Sequence, residues 1–314
     1  MTLAECIDAY VAFKRSLGMR FRSEAELLRA FSRTMGPIEL TAVTPDAVRA
    51  FIAGAGPVTA FWRQKWIILR GFYRFALSRG FTAASPVPVT RPQSPPPLTP
   101  YIYSSEELTR LLTVTETLQE PRSPLRALTF RTLLLLLYGT GMRIGEALSL
   151  TLPDVDVGQR LVTVRDTKFF KSRLVPTGTQ LTHALAVYVT RRRQLLLPAG
   201  EASTFFATRT GQALGYDVVN LLFRRVRRRA GIRREVGARY QPRLHDLRHT
   251  AAVHRLIAWY RAGADVQRLL PHLATYLGHV DIASTQRYLT MTPELLHEAS
   301  QRFEQYAQPQ ASHE

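Results

Sequence analysis

The amino-acid sequence predicts a mainly helical protein with an all-helical N-terminal domain and a larger, mostly helical domain that carries a small antiparallel β-sheet. Apolar residues recur every three to four positions through most of the chain, which is typical of amphipathic helices. They alternate with polar residues in two short segments, 161–164 and 173–176, which predicts two strands. A proline-rich stretch at 86–100 has no room for a helix or a central strand and separates the two regions.

The length and composition are those of a globular protein. The 314 residues are 46% hydrophobic and 21% charged, enough for two domains that each bury a core. The single cysteine, Cys6, can form neither an intrachain disulfide nor a thiolate zinc site, which fits a reducing cytoplasm. The N-terminus carries Glu5 and Asp8 rather than a signal pattern, and the longest apolar run, 133–138, is far shorter than the ~20 residues of a membrane span. We therefore expect a cytoplasmic protein that does not enter a membrane.

The chain is strongly basic. Lys and Arg number 42 against 24 Asp and Glu, a formal net charge of +18. Such an excess favours a polyanionic partner, either nucleic acid or an anionic membrane surface. Only four of the basic residues are lysines, namely Lys14, Lys65, Lys168 and Lys171, and two of these fall within one four-residue window.

The proline-rich stretch sets the predicted domain boundaries. An N-terminal domain over 1–85 is followed by a semi-rigid linker over 86–103. A second domain then spans 104–292, and a C-terminal helix and tail occupies 293–314.

Helical patterns account for the N-terminal domain. Apolar residues at helical spacing run from Leu3 to Leu17 and from Trp62 to Ala76. Thr44 followed by Pro45 predicts the start of another helix, with the threonine as its cap.

The second domain begins with a further helix and then changes period. Ser104 and Glu107 fit a capping box, and the strongly apolar segment 125–138 predicts a buried helix. The two predicted strands follow, with the Lys168 to Lys171 turn between them. Helical patterns then return over 181–196, 218–229, 245–260 and 283–289.

Gly139 and Gly141 break the apolar helix and place Arg143 at the start of the next one. The free N–H groups of a helix N-terminus beside a guanidinium make a good phosphate site. Glu146, one turn further on, can brace the arginine. Alone, these residues are more often a glycine-containing turn followed by an ordinary surface arginine.

The tip of the predicted hairpin holds Lys168 and Lys171, half the lysines of the chain. A charged tip is usually a solvated turn. However, an ammonium group can lose its proton when desolvated, whereas a guanidinium practically cannot. This difference is a chemical reason to keep lysine where arginine dominates elsewhere.

His245 and Arg248 stand three residues apart, so on a helix both side chains face one direction. A single His-x-x-Arg is expected by chance at this composition. His245 and His249, with Asp246 after the first histidine, also resemble a distorted zinc site. We consider zinc the weaker interpretation, because Asp246 is a carbon shorter than the usual glutamate and Arg248 would place a fixed positive charge beside the metal.

A last feature lies near the C-terminus. Gly278 is predicted to end a short helix just before His279, and Asp281 can cap the next helix. Tyr288 falls about two turns into that helix. A lone tyrosine in such a place is more often part of a core than a catalyst.

The order of these residues is more informative than any one of them. An arginine, a lysine, His-x-x-Arg, a histidine and a tyrosine follow one another between Tyr138 and Tyr288. This succession resembles the tyrosine recombinases of the phage integrase family, and the two-domain plan extends the resemblance to nearly the whole chain. The resemblance implies an N-terminal core-binding, SAM-like domain and a catalytic domain with the DNA breaking–rejoining enzyme fold.

The resemblance also implies a set of site residues. The implied catalytic residues are Arg143, Lys168, His245, Arg248, His279 and the nucleophile Tyr288, with Glu146 and Lys171 in support. Phe169 and Phe170 stand where the chromosome-resolving Xer-type members often carry Gly-Asn. This departure leaves the choice between Lys168 and Lys171 open and favours a mobile-element recombinase.

These residue types suit the cutting of DNA. The two arginines can neutralise the non-bridging phosphate oxygens, and cationic neighbours can stabilise the phenolate of a tyrosine whose free pKa is near ~10. His245 can either take the phenolic proton or hold a phosphate oxygen. By resemblance, Lys168 protonates the leaving 5′-oxygen, and a second 5′-hydroxyl attacks the resulting 3′-phosphotyrosyl link. Because the phosphodiester is exchanged rather than hydrolysed, no ATP, metal or other cofactor is expected.

A dense run of arginines near the end of the 218–229 pattern is predicted to contact the DNA backbone, although such a run is often only a solvated basic face. Its members are Arg224, Arg225, Arg227, Arg228, Arg229, Arg233 and Arg234. The implied partner is double-stranded DNA with inverted-repeat core sites. The implied assembly is a homo-tetramer, or a mixed tetramer with related recombinases, associated with the nucleoid.

The C-terminal segment 293–306 predicts a helix with an apolar face. Leu296, Ala299, Phe303 and Tyr306 line that face. The face packs either on its own domain or, as the family implies, into a neighbouring protomer.

Two other functions stay open. A type IB topoisomerase uses nearly the same chemistry, but the proline-linked helical domain and the C-terminal apolar helix favour a recombinase. A non-catalytic DNA-binding regulator is the alternative of a different class. The intact set of six catalytic candidates argues against it.

Overall fold

The computed structural model describes residues 1–56, 58–93, 98–165, 172–235, 238 and 240–307. For residues 305–307 it describes the backbone only. The chain divides into two compact units, Met1–Leu98 and Thr99–Glu314. The predicted fold class, mainly helical with a small antiparallel sheet, is confirmed. None of the described helices combines the length and apolar character that a bilayer crossing needs.

Four α-helices build the described part of the first unit. They are α1 (Leu3–Ser16), α2 (Arg22–Met35), α3 (Pro45–Ala53) and α4 (Ala60–Ser78). Thr2 and Glu5 form a capping box on α1, and Thr44 caps α3 as predicted, accepting a hydrogen bond from the Ala47 N–H at 3.3 Å. The apolar stripes of the helices meet in one core that includes Leu28, Phe31 and Phe72.

Part of the predicted linker folds with the first unit. Val87 is 8% exposed and belongs to the core of that unit. The indole N–H of Trp66 donates to the carbonyl oxygen of Pro88 at 2.8 Å, because a largely buried Trp needs a partner for this group. The compact unit therefore extends past residue 85, to Leu98.

The second unit contains nine helices and three strands among its described residues. The helices are α5 (Ser105–Val114), α6 (Arg126–Thr140), α7 (Ile144–Leu148), α8 (Thr179–Arg193), α9 (Tyr216–Arg229), α10 (Asp246–Arg261), α11 (Val266–Leu277), α12 (Ala283–Gln286) and α13 (Pro293–Ala307). The strands are β1 (Val155–Asp156), β2 (Leu161–Val164) and β3 (Arg173–Pro176). The predicted capping box of Ser104 and Glu107 is present on α5.

Helix α6 is the centre of this unit. It is strongly apolar and largely buried, as the sequence predicts, and packs against α8 and α10. Leu133 and Leu136 are fully buried. Because α6 is fixed along its length, the turn after its C-terminal end has a defined position.

The small sheet has the order β1-β2-β3 and is antiparallel throughout. Val162 pairs with Val175, and both are buried on the core side. The two predicted strands are confirmed. The sequence did not predict β1, because two residues are too few to show an alternating pattern.

Helices α10, α11 and α13 enclose a second apolar cluster. Val253 and Leu256 of α10, Leu277 of α11 and Leu295 of α13 pack there around Tyr288.

The predicted helix over 283–289 is interrupted. Helix α12 ends at Gln286, and a 3₁₀ turn, Arg287–Thr290, carries Tyr288. The tighter winding of a 3₁₀ turn gives the segment two inward positions, Thr285 and Tyr288, both buried.

Candidate active site

The site is built on the turn that ends α11. Gly278 has a left-handed conformation (φ +72°) and ends the helix, as predicted. The N–H of His279 donates to Ala274 O at 2.9 Å and that of Gly278 donates to Thr275 O at 3.0 Å. This is the Schellman arrangement, which leaves the carbonyl groups of the last three residues of the turn without partners from the helix itself.

Three guanidinium groups from three different elements bind three successive carbonyl oxygens of this turn. The pairs are Arg173 Nε to Tyr276 O at 3.2 Å, Arg248 Nη1 to Leu277 O at 2.8 Å and Arg143 Nη2 to Gly278 O at 3.1 Å. Hydrogen bonds from charged donors are stronger than neutral ones. The turn therefore holds the two arginines predicted to be catalytic, together with one that was not.

Arg248 also fixes the turn after α6. Its Nη1 donates to Gly141 O at 2.6 Å. Gly141 has φ +61°, and a Cβ there would lie 2.5 Å from Leu277 Cδ2. The glycine thus allows the two turns to approach each other closely.

Arg248 is 3% exposed, and its Nη2 makes no hydrogen bond within the described part of the chain. Burial, with the nearby charge of Arg143, lowers the pKa of Arg248 to about 10. The group stays charged at neutral pH. A buried cationic donor without a partner is suited to an anionic ligand.

Glu146 braces Arg143, as the sequence predicts. Its Oε1 accepts from Arg143 Nη1 at 2.8 Å and its Oε2 accepts from the Arg143 backbone N–H at 3.0 Å. The same carboxylate pairs with Arg173 at 2.7 Å. Burial raises the pKa of Glu146, but the hydrogen bonds from Arg173 and Arg143 outweigh this effect and hold that pKa below its usual value.

Tyr288 is 1% exposed, and its hydroxyl lies 3.1 Å from His249 Nδ1. Burial raises the pKa of Tyr288, and the positive charges of Arg248 and Arg287 oppose that rise. In the isolated chain the phenol is therefore protonated at neutral pH.

His279 lies beside the same tyrosine. The two rings are stacked with centroids 6.0 Å apart, and His279 Nδ1 lies 2.6 Å from the Thr285 hydroxyl. Burial and the charges of Arg248 and Arg143 lower the pKa of His279 to about 4. The ring is neutral at neutral pH, and a Thr285 hydroxyl that donates to Nδ1 leaves the ring proton on Nε2 as a donor.

His249, like Arg173, is a site residue that the sequence did not predict. His245, the predicted partner of the phenol, reaches the surface and contacts His249 edge-on, with centroids 5.0 Å apart. Loss of hydration and the charges of Arg248 and Arg243 lower the pKa of His245. Burial and the neighbouring His245 lower the pKa of His249 to about 3, so its neutral ring can accept the phenolic hydrogen. The sequence does contain a signal for His249: it stands four residues after His245, which places the two rings on one face of a helix. This spacing was interpreted above only as a zinc site.

The structure brings five of the six predicted catalytic residues to one place. Arg143 and Arg248 meet at the α11 turn, and His279, which follows that turn, stacks on Tyr288. His249 links Tyr288 to His245. The remaining candidate, Lys168, and the supporting Lys171 lie outside the described residues.

The predicted DNA-contacting arginines divide into two kinds. Five are exposed, namely Arg224, Arg225, Arg228, Arg229 and Arg233, and Arg234 is half-buried. Arg227 is the second kind, and here the structure corrects the predicted DNA contact. It is 8% exposed, and its Nη1 donates to Ile232 O and to Gln241 Oε1 at 3.1 Å each. It lies on the inward face of α9, where it ties down the following loop rather than facing a ligand.

Helix α13 packs on its own unit through a face other than the predicted one. Leu295 is buried, and Arg261 of α10 bonds Glu294 and Glu298 at 2.8 Å each. Leu296 and Phe303 of the predicted apolar face are 49% and 73% exposed. The Tyr306 side chain is outside the described part of the chain.

The fold and the order of these residues define the tyrosine recombinase class. The chain matches the Phage integrase family over residues 103–294 and belongs to that family. It is 34% identical to the integrase/recombinase y4rB of Sinorhizobium fredii, over 96% of this chain and 97% of the relative. It is 33% identical to the tyrosine recombinase XerD of Mycobacterium tuberculosis, over 81% of this chain and 75% of the relative.

Solved structures share the fold. The integrase of transposon Tn1549, in complex with transposon right end DNA, has a TM-score of 0.69 at 16% identity and covers 98% of this chain and all of its own. A lambda integrase dimer bound to a COC′ core site has a TM-score of 0.63 at 19% identity, over 90% of this chain and 97% of its own.

Proposed function

We propose that this protein is a site-specific DNA recombinase that cuts and rejoins DNA strands through a 3′-phosphotyrosyl intermediate. The observation that carries the proposal is the turn after α11, where Arg143, Arg248 and His279 meet next to Tyr288. This arrangement offers one phosphate two guanidinium groups and a neutral imidazole donor beside a phenol.

Each residue has a role in that reaction. Arg143 and Arg248 neutralise the non-bridging oxygens of the scissile phosphate, and the neutral His279 donates a hydrogen bond to one of them. The oxygen of Tyr288 attacks phosphorus and the 5′-oxygen of the broken strand leaves. The neutral His249 can take the phenolic proton or pass it to His245, which reaches the surface. The phenol is buried in the isolated chain, so it must move to reach DNA, and in this proposal it gives its proton to His249 as it leaves that contact.

The proton for the leaving 5′-oxygen comes from the hairpin in this proposal, from Lys168 or from Lys171. A 5′-bridging phosphorothiolate at the mapped cleavage position distinguishes them, because a thiolate leaves without a proton. The alanine variant of the general acid is slow on normal DNA and regains activity on the thiolate substrate. The alanine variant of the other lysine shows the same relative rate on both substrates.

The experiment that tests the function looks for a covalent adduct. Labelled duplexes tiled from the DNA that flanks the gene are incubated with the protein and quenched in detergent. We expect an adduct with the parent chain and with Tyr216→Phe, an exposed control on α9, and none with Tyr288→Phe. Tyr288→Phe that still forms the adduct would overturn the assignment of the nucleophile.

A relaxation assay separates this activity from that of a type IB topoisomerase. A recombinase relaxes a supercoiled plasmid only when the plasmid carries the mapped site. Relaxation of any plasmid at the same rate would favour the topoisomerase. Tight binding with no adduct on any tile would favour a regulator.

The biological role that we propose is service to a mobile genetic element. The likeness to the Tn1549 integrase fold and to y4rB along nearly the whole chain supports it. Terminal inverted repeats next to the gene, cut by the purified protein, would be the expected finding.

We also propose an N-terminal core-binding domain, a catalytic domain and assembly as a tetramer on inverted-repeat DNA. The solved lambda integrases include a dimer on a core site and a tetramer on a Holliday junction. On the described part of α13, Leu296 and Phe303 are exposed, so they are free to pack into a neighbouring protomer.

A further inference from the structure

Arg173 is a largely buried arginine at the start of β3, and the reaction outlined above gives it no role. Its side chain is 11% exposed, against 41% for Arg143. Each of its three guanidinium nitrogens donates a hydrogen bond to another group of the protein. Nη2 and Nη1 bond the two oxygens of Glu146 at 2.7 and 3.3 Å, and Nε donates to Tyr276 O at 3.2 Å.

The turn after α11 is shaped around this side chain. A Cβ on Gly278 would lie 2.6 Å from Arg173 Nη1 and 2.8 Å from its Cζ. The residue after that glycine is His279. Arg173 therefore sets the distance between β3 and the turn that carries the phosphate-binding groups.

The charges around Glu146 give Arg173 a second effect. One carboxylate faces two guanidinium groups, Arg143 at 2.8 Å and Arg173 at 2.7 Å. If Arg173 neutralises the carboxylate, the charge of Arg143 remains available to a phosphate. If Arg173 is removed, the carboxylate has only Arg143 to pair with among the contacts that the structure describes, and the buried carboxylate draws that guanidinium away from the phosphate.

We propose that Arg173 is a positioning residue, which neutralises Glu146 so that the positive charge of Arg143 acts on the scissile phosphate. This inference rests on the proposed recombinase function. Arg173 and Glu146 then act together on Arg143. The sequence predicted a supporting role for Glu146 but none for Arg173.

The test is a double-substitution cycle on the rate of adduct formation at saturating DNA. Arg173→Gln is expected to lower the rate about 100-fold, the order found when one charge-stabilising donor is lost. Adding Glu146→Gln removes the uncompensated carboxylate, so the double variant is expected to be at least tenfold faster than Arg173→Gln. Losses that multiply, with the double variant slower than either single one, would overturn the proposal.

Two further measurements separate positioning from a loss of folding. DNA affinity in a Tyr288→Phe background is expected to change less than threefold in Arg173→Gln, so the effect is on rate. On a methylphosphonate substrate, whose central phosphorus group is uncharged, the deficit of Arg173→Gln is expected to shrink. An equal deficit on both substrates would count against the proposal. Arg173→Lys keeps the charge beside Glu146 but cannot bond Glu146 and Tyr276 O together, so it is expected to keep most of the parent rate. A folded Arg173→Lys as slow as Arg173→Gln, or as slow as expected for Arg173→Gln if that variant does not fold, would overturn the proposal.

The matched control is Arg126→Gln. Arg126 pairs with Glu120 at the start of α6, which is the end of the helix opposite to the Gly141 turn. The Arg126→Gln substitution is expected to leave the rate of adduct formation unchanged. If the parent chain forms no adduct at all, the proposed function fails. If the parent chain reacts and the cycle is multiplicative, only the role of Arg173 fails.

Discussion

Tyr288 and His249 show how burial sets protonation at the scale of single residues. The phenol and the imidazole meet in a site that excludes water, and burial favours the neutral form of each. The hydrogen bond between them is therefore one between neutral partners. The negative charge of a bound phosphate favours protonation of His249 but opposes the phenolate of Tyr288, so transfer of the proton depends on neutralisation of the phosphate by Arg143 and Arg248.

The buried histidines predict a pH dependence of stability. An unfolded histidine has a pKa near 6.5, whereas those of His249 and His279 are lowered to about 3 and about 4. Between pH 6.5 and 4 the unfolded chain therefore binds more protons, and the free energy of unfolding falls with falling pH by about 1.4 kcal/mol per pH unit for each histidine.

His249→Asn tests this dependence, because asparagine can keep a hydrogen-bonding atom near the position of Nδ1 and does not titrate. Urea unfolding between pH 4.5 and 7.5 is expected to give a slope shallower by about 1 kcal/mol per pH unit. His183→Asn, at an exposed position on α8, is the matched control. A slope unchanged in His249→Asn would contradict the assignment of a buried, neutral ring.

The sequence predicted the site residues to different degrees. Arg143, Glu146, Arg248, His279 and Tyr288 could be picked out because their order along the chain is distinctive. Arg173 and His249 could not, because their roles depend on which backbone turn or ring folds against them.

The end of α11 is the element on which the site depends. A helix C-terminus offers free carbonyl groups, and here they orient three arginines at once. The glycine signal predicted where α11 ends. The sequence did not indicate that this end is the meeting point of β3, α7 and α10, because such contacts are long-range.

Gly278→Ala is expected to lower the free energy of unfolding by more than the cost of its backbone conformation alone. Gly263, after α10, has a similar φ of +65° and nothing within 4 Å of a Cβ, so Gly263→Ala reports the backbone cost, about 1 kcal/mol. Gly278→Ala adds a clash with Arg173. We expect it to cost about 1 kcal/mol more in urea unfolding and to slow adduct formation. Equal losses for the two variants would show that the clash relaxes freely.

Helix α13 presents two faces with separate expected effects. Replacing the exposed Leu296 and Phe303 together with serine is expected to change the free energy of unfolding by less than about 0.5 kcal/mol and to weaken assembly on DNA. Leu295→Ala, on the buried face, is expected to cost about 2–4 kcal/mol. Sedimentation of the DNA complexes measures assembly. A tetramer unaffected by the double serine variant would contradict docking in trans.

At the scale of the whole molecule, the net charge of +18 dominates its behaviour towards DNA. Binding to DNA is expected to weaken steeply with salt, because each neutralised phosphate releases counterions. Charge can be counted from the sequence. Which arginines face outward cannot, and Arg227 is the example, since α9 turns that one residue inward.

Two variants of α9, one double and one single, test this distinction. Arg224→Gln with Arg228→Gln is expected to reduce the slope of log affinity against log salt by about 1.8, with little change in stability. Arg227→Gln is expected to leave that slope unaltered and to lower the free energy of unfolding, because its hydrogen bonds to Ile232 and Gln241 are lost. An unaltered slope in the double variant would place the DNA elsewhere.

The burial of the Tyr288 side chain has a consequence for the cell that carries this protein. A chain with a net charge of +18 is expected to bind DNA of many sequences besides its target. If Tyr288 is the nucleophile, as we propose, its burial is expected to prevent cleavage when such non-target DNA binds. Cleavage is then expected only on DNA that stays bound long enough, and fits the site well enough, to bring the Tyr288 hydroxyl out of its buried position.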